Sequence, residues 1–212
     1  REAHAEKAQL GGVVAVPETN YYRQQNGLFA GDGDIYLAYF FGDDLGPLMT
    51  DTQSDTIATA AGLEFALRSD WRVEASTSYG FHADEVDNTN IADSGAIGAA
   101  LASSDPSIAF NPFGDGGDTP AAALAALTMR QHIETVSELT GYALRADGGV
   151  FDLPGGRARV ALGIERRDET FSIDRTETSG SGLITNPFTQ EPGERTTDAI
   201  YAEAFLPVLD TV

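Results

Sequence analysis

Two stretches of strict two-residue alternation, joined by a tight polar turn, constrain this chain more than any other feature. From Trp71 onward every second residue is large and apolar or carries a methyl group (Trp71, Val73, Ala75, Thr77, Tyr79, Phe81), and those between are Arg72, Glu74, Ser76, Ser78, Gly80 and His82. Before Arg68-Ser69-Asp70 the pattern runs the other way, with Ile57, Thr59, Ala61, Leu63, Phe65 and Leu67 set against Ala58, Ala60, Gly62, Glu64 and Ala66. A period of two places such sets on opposite faces of a strand, so the two runs predict a hairpin. Each arm is about eleven residues long, beyond the roughly five or six usual in globular sheets and near the 9 to 11 that cross a bilayer at a tilt. In a soluble sandwich the apolar face meets a core, whereas in an outer-membrane barrel it meets lipid and the small polar face lines a wet lumen. Alternation alone allows both.

Composition narrows the function classes. The 212 residues carry a formal net charge of -20 and no Cys, which removes disulfides and thiolate metal sites. Strong acidity argues against nucleic acid as a partner, because no basic patch replaces phosphate counterions. No run approaches 18 apolar residues, so no transmembrane helix is expected, a result that leaves barrels open. Acids concentrate in Gly- and Asn-rich stretches (GDGD at 31 to 34, HADEVDN at 82 to 88, GDGGD at 114 to 118), while arginines gather at short turns (Arg68, Arg72, Arg145, Arg157, Arg159).

Along the chain, residues 1 to 52 read as a loop-rich segment with one short apolar strand at 35 to 41, and residues 53 to 212 as one β region. After the hairpin comes a long connection, about 83 to 133, containing a short helix from Thr119-Pro120 to about Gln131, with Pro120 at the first helical position. Strands are expected at 134 to 147, 157 to 169 and 196 to 208, separated by a turn at 148 to 156 and a long loop at 170 to 195. Short turns alternating with long loops is the rhythm of an outer-membrane barrel. The faces opposite the apolar ones favour the same reading: Ala58, Ala60, Gly62, Ser76, Ser78, Gly80, Ala161 and Gly163 with sparse charges suit a filled lumen better than a solvated surface.

The stretches GLEFALRSDWRVEASTSYG (62 to 80), SDPSIAFNPFGDGGDTP with its following Ala/Leu run (104 to 127), ALRADGGVFDLPGGRARVALGIERRDE (143 to 169) and DAIYAEAFLPVLD (198 to 210) together resemble the barrel of a TonB-dependent outer-membrane receptor. The resemblance implies an all-β, antiparallel transmembrane β-barrel segment, a partial barrel of about five or six strands with long extracellular loops, one of them holding the short helix. It also implies uptake of a scarce ligand such as a ferric siderophore, powered by the TonB complex acting through a plug domain. No plug domain, TonB box, signal peptide or aromatic-ended last strand is recognisable, so the chain reads as an internal fragment of a receptor that is monomeric when complete. Implied partners are outer-membrane lipid, the TonB complex and a small-molecule ligand.

The candidate residues follow from this placement. Asn111-Pro112-Phe113 and Asn186-Pro187-Phe188 recur once in each long loop; Asn111, Phe113, Asn186 and Phe188 are candidate ligand contacts, set against a plain turn-and-packing role. Glu64, Arg72, Glu74, Arg159, Glu165, Arg167 and Glu203 are expected to face the lumen and contact the plug. His4, His82 and His132 lie far apart in sequence without metal-ligand spacing, so no metal site is expected. The stretches GDGD and GDGGD resemble calcium loops, since carboxylates separated by Gly can wrap a hard cation, but neither fits the EF-hand spacing or a repeated nonapeptide, so they read as loop turns. No catalytic residue and no cofactor are expected, since no nucleophile, Walker or dinucleotide motif is present. The rival reading is a soluble acidic β-sandwich binding module, calcium-stabilised.

Overall fold

The computed structural model describes residues 1–9, 11–68, 70–114, 118–184 and 187–209. Strands account for 63% of the chain and helix for 12%, so the all-β antiparallel expectation holds. Strand β1 (Glu2–Lys7) pairs antiparallel with β4 (Leu48–Ala66), and the sheet continues through β5 (Arg72–Ala92), β6 (Thr128–Leu153), β7 (Gly156–Ser179) and β8 (Phe188–Phe205) in that order. The sheet is open, with β1 and β8 at its edges. Pro192 fits there, because an edge strand tolerates a residue that cannot donate to a ladder. Strands β2 (Gly11–Val16) and β3 (Ile35–Phe40) form a separate antiparallel ribbon.

The strands are much longer than their apolar patterns. β4 to β7 run for 19, 21, 26 and 24 residues. The extra length is built from polar residues that pair across the sheet: Thr50 donates to Asn88 at 2.7 Å, Asn88 to Gln131 at 3.2 Å, and Gln131 to Glu177 at 2.9 Å. A backbone ladder needs no hydrophobic residue, and such cross-strand pairs add stabilisation of their own. Three expectations change accordingly. The connection expected over 83 to 133 shrinks to the residues between β5 and β6. The turn expected over 148 to 156 is only Pro154-Gly155, where Gly155 N–H donates to Pro207 O at 3.2 Å. The loop expected over 170 to 195 is the short link between β7 and β8, and its flanks are strand.

Residues 1 to 52 hold more regular structure than one strand: β1, β2, β3, the start of β4, and the short helices α1 (Tyr21–Gln25) and α2 (Gly42–Leu45). The expected helix near Thr119 is α4 (Ala121–Ala126), shorter than predicted, with Pro120 one place outside as N-cap and Thr128 to Gln131 already in β6. A second helix, α3 (Ser94–Ala102), precedes it, capped by Asp93, whose carboxylate accepts from Gly95 N and Ala96 N.

The chain divides into two compact units: Arg1–Ser54, Asp84–Glu134 and Asp174–Thr189 in the first, and Asp55–Ala83, Thr135–Ile173 and Gln190–Val212 in the second. The first has a conventional core of Val16, Phe41, Leu45, Ile97, Leu101, Phe110 and Leu127, with Tyr39, Phe41 and Phe110 rings 5.0 to 5.9 Å apart. Polar groups finish it. Fully buried Asn20 donates to the carbonyls of Leu101 and Phe110, and buried Arg23 donates to those of Val16, Leu28, Phe29 and Gly33. The second unit is the sheet part described next, and many of its large apolar side chains are exposed.

Candidate functional site

In the second unit the two faces of the sheet differ as the alternation predicts. On one, Leu63 is 66% exposed, Ile164 52% and Ile200 85%, beside exposed Ile57, Phe65, Tyr142, Leu144 and Leu162. An apolar depression of about 570 Å³ lies among Ala75, Tyr142, Leu144, Ile164 and Ile200. Charges return on this face at Arg166 and Asp198, 3.9 Å apart. Nine residue steps from Ile57 to Ala66 give about 31 Å of strand, or about 22 Å of height at a tilt near 45°, close to the roughly 25 Å apolar band of outer-membrane barrels.

The opposite face carries the expected polar residues. Glu64, Arg72 and Glu74 line one depression with Arg145, Asp147, Ala161 and Tyr201. Asp147 joins two of the predicted residues, accepting from Arg159 at 3.0 Å and Arg72 at 3.4 Å. Arg167 bonds Glu165 at 3.2 Å, and Glu203 shares the face of Tyr201 by alternation. Sequence reasoning passed over Asp147, because Ala-Asp-Gly-Gly looks like the start of a turn. Small residues on this face make room for neighbours: a Cβ on Gly163 would stand 2.1 Å from the Tyr201 ring. On the other face a Cβ on Gly148 would stand 2.4 Å from the Trp71 ring, whose Nε1 donates to Gly149 O at 3.2 Å.

Three of the four candidate ligand contacts fall among the described residues. Asn111 is buried, its side-chain oxygen accepts from Phe113 N at 3.1 Å, and its N–H donates to Thr119 Oγ1 at 3.0 Å. Phe113 packs on the core of the first unit. These two residues hold their own loop. Phe188 is 46% exposed at the start of β8, with the Arg175 guanidinium 5.8 Å from its ring centre. Asn186 lies outside the described residues.

The first unit holds a group that sequence spacing could not reveal. Glu85 and Asp87, two apart on β5, meet His132 on β6, with one donor atom of each within 4.8 Å of the others. His132 Nδ1 lies 2.9 Å from Asp87 Oδ1 and 3.9 Å from Glu85 Oε1. A second pair stands alongside, His4 Nδ1 to Asp51 Oδ1 at 2.6 Å, and His4, Asp51, Glu85 and Asp87 line one open depression of about 350 Å³ with Glu2. The hydrogen bond to Asp87 lifts the His132 imidazole above its ordinary value, partial burial opposes it, and the fields of Asp87, Glu85 and Glu134 add to the rise. His4 is raised the same way, first by its bond to Asp51. Such pairs are invisible to motif spacing because their members sit 45 or more residues apart on neighbouring strands. No family model matches the chain, and no curated protein matches it at a significant level.

Proposed function

We propose that the chain is a segment of an outer-membrane β-barrel receptor of the TonB-dependent kind, binding a scarce ligand such as a ferric siderophore for energised uptake. The observation that supports this best is the apolar face of the second unit, exposed along long strands while the opposite face carries small and charged residues. A soluble sandwich would cover that face with a second sheet to form its core. Among the described residues the first unit has its own core and the second has none of comparable size. In this reading the strands of the second unit cross the bilayer. The Arg72–Asp147–Arg159 cluster then faces a plug domain, through which the TonB complex would act.

The absence of Cys makes a direct test clean. Single-Cys variants Leu63→Cys and Ile164→Cys, and Ser76→Cys and Ala161→Cys on the other face, are refolded into lipid vesicles. The expected result is that the first pair reacts with a lipid-phase maleimide and resists an aqueous one, and the second pair does the reverse. Equal aqueous reactivity at all four positions would remove the membrane reading. Dependence on TonB is tested separately in the complete receptor, where uptake should stop when the proton gradient is discharged.

A further inference from the structure

We infer that Glu85, Asp87 and His132 form a binding site for a divalent transition metal, best matched by Zn²⁺, on the paired strands β5 and β6. Three features carry this beyond a patch of acidic surface. The donor set is mixed, two carboxylates and an imidazole, a combination that suits zinc and its neighbours rather than calcium or magnesium, which want oxygen ligands in larger number. The spacing is close to what a metal needs: bonds of 2.0 to 2.2 Å in a tetrahedron set ligand atoms roughly 3.4 Å apart, and the His132 nitrogen lies 2.9 and 3.9 Å from its two carboxylate neighbours. The ligands are also held by hydrogen-bonded strands rather than by a loop, so little ordering remains to be done on binding.

Three protein ligands leave a fourth position open to water or to a ligand group. The adjoining His4 and Asp51, from β1 and β4, line the same depression as Glu85 and Asp87. Around His132 stand Asp87 and Glu85 on the facing strand and Glu134 on its own strand. Across the next strand boundary, Gln131 bonds Glu177 of β7. The inference stands on side-chain geometry and does not rest on the receptor reading.

The test uses the full chain refolded in detergent micelles, with Zn²⁺ for calorimetry and Co²⁺ for spectroscopy. One Zn²⁺ per chain is expected at pH 7, read as a saturable heat. His132→Ala and Asp87→Asn should each weaken binding at least tenfold, while Glu194→Gln, a distant surface change, should leave it within twofold. Should a variant fail to refold, the wild-type chain answers alone: Co²⁺ should broaden the His132 ring signals before those of His82. No saturable Zn²⁺ binding, or Zn²⁺ binding that both variants leave within twofold, would overturn the site. So would Co²⁺ broadening confined to His4 and His82.

Discussion

At the residue scale the most demanding side chain is Arg23, buried in the first unit and bonded to four carbonyls at 2.6 to 3.2 Å. Its planar fork serves several acceptors at once, which a single ammonium on a flexible stem cannot reproduce. Arg23→Lys is therefore expected to destabilise this unit by roughly 2 to 4 kcal/mol, and Asn20→Ala, which strips donors from the carbonyls of Leu101 and Phe110, by about 1 to 3 kcal/mol. Denaturant titration read by Tyr and Phe signals of the core checks both, and a loss below about 0.5 kcal/mol would show that water replaces these donors. A second prediction concerns His132. Its folded pKa lies above the ordinary 6.5, so its pairing with Asp87 contributes fully below about pH 6.5 and fades as pH rises through the raised value. Asp87→Asn should bring the imidazole titration, followed by NMR, down toward the ordinary value; an unchanged midpoint would mean that Asp87 is not the cause. Asn20 and Arg23 were not legible beforehand, because a polar residue in a Gly-rich stretch shows no period that marks it as buried.

At the element scale, legibility followed the apolar pattern and ended with it. The hairpin of β4 and β5 was readable from Ile57 to Phe81 because its two faces meet different surroundings. Beyond His82 the sequence ADEVDNTNIA is polar on both faces, so it looked like loop, yet the ladder continues to Ala92 through pairs such as Asn88 with Gln131. Helix α3 was missed for a related reason: SGAIGAALA is nearly uniform in hydropathy, and only Ile97, Ala100 and Leu101 turn inward. The Asp93-Ser94-Gly95 start was the signal available, a helix cap followed by small residues. The distinction between faces gives a sharp prediction. In lipid, Leu63→Lys should destabilise the sheet by about 2 to 4 kcal/mol while Ser76→Lys is tolerated. In a water-exposed sheet Leu63→Lys would be nearly neutral, since Leu63 is already 66% exposed. Urea unfolding in vesicles, read by Trp71 fluorescence, separates the two cases.

At the scale of the whole molecule, two opposing terms decide how the chain behaves in water. The net charge of -20 repels other copies, and eighteen acidic against five basic residues in the first unit give it the larger share. Against this stand the open edges β1 and β8 and the exposed apolar face of the second unit. Burying a side chain such as Leu162, Ile164 or Ile200 against a second copy contributes on the order of 1 kcal/mol each, and unpaired strand edges add hydrogen bonds in the same encounter. Charge repulsion acts over only about 10 Å at 0.1 M salt and weakens further as salt rises. The apolar and edge terms should therefore win. The isolated chain is expected to associate in detergent-free buffer, more strongly at 0.5 M than at 0.05 M salt, and to be dispersed by detergent into particles insensitive to salt. Sedimentation at the two salt concentrations, with and without detergent, reads this directly. A chain that stays monomeric in plain buffer at high salt while keeping its sheet signal would show that the apolar face is satisfied in water, and with it the membrane reading would lose its main support.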